Sequence, residues 1–86
     1  AAMVYPVPAS TNLHIRYQIP TAVLPSGNAV WRLYNALGSQ VAEAALPGNV
    51  GVEQVSVAHL PAGVYYYRVV FPASGQMVAS GKVVVE

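Results

Sequence analysis

Apolar and polar residues alternate along most of this chain with a period of two. Over residues 13–18, Leu13, Ile15 and Tyr17 fall on one side while His14, Arg16 and Gln18 fall on the other, which predicts a half-buried strand. Residues 29–35 repeat the pattern, with Trp31 and Leu33 toward a core and Val30, Arg32 and Tyr34 outward. The alanine-rich run from Gln40 to Leu46 is stopped by Pro47 and Gly48 after too few residues for a stable helix, so it reads as another strand. In residues 52–57, Val55 and Val57 point inward and Gln54 and Ser56 outward. Residues 64–71 send Tyr65, Tyr67, Val69 and Phe71 to one face and Val64, Tyr66, Arg68 and Val70 to the other, the pattern of a central strand. The chain closes with residues 76–80 and then Gly81, Lys82, Val83, Val84, Val85 and Glu86. Three consecutive valines mean that both faces are covered or that one awaits a partner.

Turn chemistry separates these runs: residues 6–12, Pro25-Ser26-Gly27-Asn28, Gly38-Ser39, Pro47-Gly48-Asn49, Pro61-Ala62-Gly63 and Pro72-Ala73-Ser74-Gly75. About seven short strands without a helix predict an all-β fold, an immunoglobulin-like antiparallel β-sandwich lacking the usual cysteine pair. The 86 residues make one domain, 1–86, with residues 1–3 read as the remnant of a linker.

Composition narrows the function classes. Hydrophobic residues are 55% of the chain and charged residues 8%, too apolar for disorder. The charge-free run before Arg32 is broken by Pro20, Pro25 and Gly27, so no segment reads as membrane-spanning. The formal charge is +1 with no basic cluster, which argues against nucleic acid as a partner. With no cysteine, disulfides and thiolate chemistry are excluded. The sequence starts at Ala1 and has no basic region followed by an apolar one, so we expect a piece of a longer protein whose export signal lies elsewhere.

Catalysis finds little to build on. There is no aspartate, and Glu43, Glu53 and Glu86 fall on different expected elements. His14 sits on the polar face of a strand and His59 in a turn, neither with a carboxylate nearby, so no triad, metal site or cofactor site is expected. The reading is a non-enzyme. The aromatics leave one alternative open, a stacking platform for sugars built from Tyr34 and Tyr66 with Tyr5 or Tyr17, as in a carbohydrate-binding or adhesive module appended to an extracellular enzyme.

Four motifs in order carry a resemblance. Tyr5-Pro6-Val7-Pro8-Ala9 is followed by Leu13-His14-Ile15, then Leu33-Tyr34-Asn35-Ala36-Leu37-Gly38-Ser39-Gln40-Val41, then Leu60-Pro61-Ala62-Gly63-Val64-Tyr65, then Gly75 and Lys82-Val83-Val84-Val85. This order resembles the C-terminal sorting domain of the bacterial type IX secretion system from Val4 to Glu86. Its motifs are Tyr-Pro-Asn-Pro-Ala with Leu-x-Ile, Leu-Tyr-Asp-x-x-Gly-Arg-x-Val, Leu-x-x-Gly-x-Tyr, and a basic residue before valines. The chain departs from them at Val7, Asn35 and Ser39, of which Asn35 retains the ability to cap a turn.

The resemblance implies a domain that follows a larger passenger. It would be carried through the periplasm, recognised by the outer-membrane secretion machinery and cut off by a sortase-like protease near its start. The passenger would then be released or anchored at the cell surface. Tyr5, Pro6, Pro8, Leu33, Tyr34, Gly38, Leu60, Gly63 and Tyr65 are then structural motif residues. The recognition candidates are Gly81, Lys82, Val83, Val84, Val85 and Glu86, an edge strand to which a receptor adds a strand, with Lys82 fixing the register. The competing reading is that the valines only complete the core. Open edges also make an edge-strand homodimer an expectation.

Overall fold

The computed structural model describes residues 2–5, 11–19 and 28–86, all of it strand and turn. Seven strands follow in order: β1 (Ala2–Tyr5), β2 (Asn12–Gln18), β3 (Ala29–Tyr34), β4 (Gln40–Leu46), β5 (Val50–Ser56), β6 (Gly63–Phe71) and β7 (Gln76–Val85). They form a three-stranded sheet ordered β1-β2-β5 and a four-stranded sheet ordered β4-β3-β6-β7. Every pairing is antiparallel. The chain makes two strands in the first sheet and two in the second, returns once to the first as β5, and ends in the second. This is the connectivity of an immunoglobulin-like sandwich in which the fourth strand lies beside β3.

The alternation explains why the sheets face each other. Leu13, Ile15 and Tyr17 of β2 and Val55 of β5 meet Trp31 and Leu33 of β3, Tyr65, Tyr67, Val69 and Phe71 of β6, and Val83 and Val85 of β7 in one buried cluster. Nothing polar or charged among the described residues is a fully buried residue. β6 lies inside its sheet between β3 and β7, the central position its composition suggests.

Three expectations are corrected. Ala2 and Met3, read as linker, pair with Tyr17 and Arg16 as the start of β1, because the ladder with β2 supplies hydrogen-bonding partners that a four-residue pattern does not advertise. Residues 76–80 and 81–86, read as two runs, are one ten-residue strand ending at Val85. Gly81 does not break it, because the ring of Tyr67 crosses the glycine from the opposite strand, with Tyr67 and Gly81 in register. A Cβ placed on Gly81 would lie 2.5 Å from that ring. The strand expected over residues 52–57 begins two residues earlier, at Val50, where Gln18 is its partner. The turn expected over residues 6–12 lies largely outside the described residues, as do Pro6, Pro8 and most of the Pro25-Ser26-Gly27-Asn28 cluster.

Candidate functional site

The sequence motifs resolve first into turn chemistry. At the β3–β4 hairpin, the Asn35 side-chain oxygen accepts hydrogen bonds from the backbone N–H groups of Leu37 and Ser39, each at 3.0 Å. Asn35 thus performs the capping that asparagine in place of aspartate leaves possible. Gly38 closes the hairpin at φ +86°, a left-handed conformation that costs glycine nothing. Leu33, at the inner face of β3, is fully buried, and Tyr34 is half-buried on the outer face.

At the corner leading into β6, the Tyr65 hydroxyl donates to the carbonyl of Pro61 at 2.5 Å. A tyrosine near the start of the sixth strand, bonded back to the chain a few residues upstream, is the tyrosine corner of immunoglobulin-like sandwiches. The spacing Leu60-x-x-Gly63-x-Tyr65 therefore has a mechanical meaning: Leu60 is half-buried against the core, Gly63 begins the strand and Tyr65 ties the corner to it. Replacing Tyr65 by Phe is expected to cost about 0.5–1.5 kcal/mol, the net worth of one such bond. Urea unfolding followed by the fluorescence of Trp31, the one tryptophan and a fully buried one, measures it.

Trp31, Tyr67 and Tyr17 also serve the core. Trp31 stacks on Tyr67 with ring centroids 5.9 Å apart, and its indole N–H finds no acceptor among the described residues. Burial raises the pKa of Tyr67 above the usual 10.0. Tyr17 is raised as well, by burial first and then by the negative charge of Glu53, while its hydroxyl donates to the Pro47 carbonyl at 2.6 Å.

The sugar-platform expectation meets this geometry poorly. Tyr17 is buried in the core, and Tyr5 lies on the other sheet, stacked on His14 at 5.3 Å. Tyr34 and Tyr66 are cross-strand neighbours, and the Arg68 guanidinium lies 5.5 Å over the Tyr34 ring. His59 is exposed in the turn before Leu60, and no group of three histidine, cysteine or acidic residues among those described could hold a metal ion.

The recognition candidates Gly81 to Val85 lie together on β7, at an edge of the four-stranded sheet, and Glu86 follows its end. Val83 and Val85 face the core, Val84 is half-buried on the outer face, and Lys82 and Glu86 are exposed. The same segment therefore completes the core through its inward side chains and leaves the backbone of its far side without a neighbouring strand among the described residues.

The other edges are blunted in recognisable ways. β1 has four residues. β5 places Glu53 opposite the buried Ile15, a charge directed inward that a pairing strand would have to bury. β4 carries Glu43, bound to Arg32 at 3.1 Å, and its register slips beside Leu33. Among the described edge strands β7 is the longest, at ten residues, and Lys82 is the single charge within it.

Sequence reasoning places Arg32, Tyr66 and Arg68 outward but does not group them with Lys82. The cross-strand register sets Tyr34 beside Tyr66, Tyr66 beside Lys82, and Arg32 beside Arg68.

Comparison with known families gives one result: residues 3–86 match the family model described as the secretion system C-terminal sorting domain. No curated protein and no solved structure matches the chain.

Proposed function

The chain belongs to the family of secretion system C-terminal sorting domains, a type IX secretion signal, and from that premise we propose how it acts. The family is one of signals rather than catalysts, and its members direct export to the cell surface or the extracellular space. In our reading this domain follows a passenger, accompanies it through the periplasm and is recognised as a folded unit by the outer-membrane machinery. It is then removed by a sortase-like protease, and the passenger is released or anchored.

The observation that supports recognition at the last strand is the edge position of β7. Its inward valines hold it in the core while its open backbone offers a template for strand addition. Lys82, exposed at the middle of residues 80–84, sets the register of the added strand. Two copies of the chain can meet along the same edge, and such a dimer would hide it. The carbohydrate-binding alternative has less support, since Arg68 stands over the Tyr34 ring and Tyr5 and Tyr17 lie on the other sheet.

The test fuses residues 1–86 behind a periplasm-directed fluorescent reporter in a bacterium with an active type IX system. Export that depends on the translocon, with a new terminus on the reporter upstream of β1, is the expected result. A folded fusion that stays in the periplasm contradicts the signal function. A reporter exported with all 86 residues attached contradicts the removal step.

A further inference from the structure

Three of the four basic residues, Arg32, Arg68 and Lys82, lie on the outward face of the four-stranded sheet together with Tyr34 and Tyr66. The grouping carries a cost. Arg32 and Arg68 are directly opposite one another, an arrangement that destabilises a strand pair unless something offsets it. Glu43 offsets Arg32 with a bond of 3.1 Å. Arg68 has no carboxylate partner among the described residues and lies over the Tyr34 ring instead. Lys82 likewise has none, and it stands diagonal to Arg68 across Tyr66, within reach of one shared group. Tyr66 is 50% exposed and Met77 55%, and both line a groove with Arg68, Ser80 and Lys82. The opposite face of the sandwich, over β1, β2 and β5, carries Arg16 as its one cation, beside Met3 and Val52.

We propose that the Tyr66–Arg68–Lys82 face docks an acidic protein surface, so that the partner which reads the β7 edge also places carboxylates against Arg68 and Lys82. The inference rests on the sorting-signal reading and extends it from the backbone edge to a side-chain face. Charge points to carboxylates: Arg68 and Lys82 have no carboxylate partner among the described residues and stand beside an exposed tyrosine, and Glu43, the one acid within the strands of this sheet, is already engaged by Arg32. Composition favours a protein over sugar or nucleic acid. Half-exposed Tyr, Arg and Met side by side make the core of a protein interface. A stacking platform needs free ring faces, and Arg68 competes for that of Tyr34. Two cations are too few to neutralise a run of phosphates. Continuity supports the same partner, because Lys82 belongs both to the face and to the open strand.

Lys82 is the only lysine in the chain, which makes the proposal chemically addressable. Cells exporting the reporter fusion are treated with a water-soluble carbodiimide, which joins an amine to a touching carboxylate without a spacer, and adducts of the Lys82 peptide are identified by mass spectrometry. The expected product is an amide between Lys82 and an Asp or Glu side chain of a protein of the secretion machinery. Arg68→Glu is expected to lower both adduct and export by about tenfold or more, since a like charge replaces an opposite one. Arg68→Gln should lower them less, and Arg16→Glu should change neither. All variants are compared at equal melting temperature, and Arg68→Gln carries the test if Arg68→Glu fails to fold.

The inference is overturned if the wild-type fusion is exported while Lys82 gives no adduct. An adduct that joins Lys82 to a uronate glycan overturns it too, as does normal export of a folded Arg68→Glu or Arg68→Gln variant. A wild-type fusion held in the periplasm is a different failure, which removes the sorting-signal premise and this inference with it.

Discussion

Removal of residues 83–86 is expected to unfold the domain. Val83 and Val85 are 0% and 2% exposed, and they sit opposite Tyr65 and Gly63 at the start of the central strand. Losing two buried valines costs about 3–6 kcal/mol at roughly 1.5–3 kcal/mol each, and the lost ladder bonds between residues 83–85 and the start of β6 add about 0.5–1.5 kcal/mol apiece. A chain of this length is stable by only about 4–13 kcal/mol in total. The truncated chain should show Trp31 emission shifted toward that of an exposed indole and a urea midpoint near zero. A native-like midpoint would mean that the end of β7 contributes nothing to the core. A truncated signal that fails to export has thus failed to fold first. The edge must therefore be tested in molecules that keep all four residues.

The second large effect is centred on Tyr67. Its ring stacks on Trp31 on one side and crosses Gly81 in register on the other. Tyr67→Ala should cost about 3–5 kcal/mol, as for other buried aromatic residues cut to alanine. Gly81→Ala should cost about 1–3 kcal/mol, because its Cβ meets the ring at 2.5 Å and the packed ring has to shift. The two should not add. With the ring gone the new methyl has room, and alanine is better than glycine in a strand by roughly 0.5–1 kcal/mol, so Gly81→Ala in the Tyr67→Ala background should be neutral or stabilising. Denaturant midpoints of the four members of this cycle measure the coupling. Additive losses would show that ring and glycine do not meet.

How much of the fold is legible in the sequence follows from which features are local. Alternation is local, so spacing alone assigns Leu13, Ile15, Trp31, Leu33, Tyr65, Tyr67, Val69 and Phe71 to the core, and all are buried. Turn chemistry is local too, and Asn35 caps its hairpin as the side chain allows. β1 escapes a sequence reading because four residues carry too little pattern, and only pairing with β2 reveals it. Gly81 reads as a break because its tolerance depends on a ring fourteen positions away in sequence, between Tyr67 and Gly81. The last segment has its valines in the core, as one reading expects, and lies at a sheet edge, the position on which the proposed recognition rests. The cationic face is invisible for the same reason as β1. Strand register is set by long-range pairing, and without it Arg32, Arg68 and Lys82 are three separate outward residues.

Recognition of the open edge of β7 is the central claim, and it can be tested with all 86 residues unchanged. A short Asn-Gly turn and a six-residue threonine- and valine-rich strand are appended after Glu86 of the reporter fusion, so that the extension folds back and pairs along β7. A control extension of equal length places prolines in the added strand, which then cannot pair. The quantity measured is reporter at the cell surface and in the medium, with and without the translocon. The account predicts that the pairing extension stops export while leaving the domain as stable or more so, and that the proline extension is exported at close to the unextended level. Equal export of the two extensions, or equal loss of both, would contradict recognition through the edge.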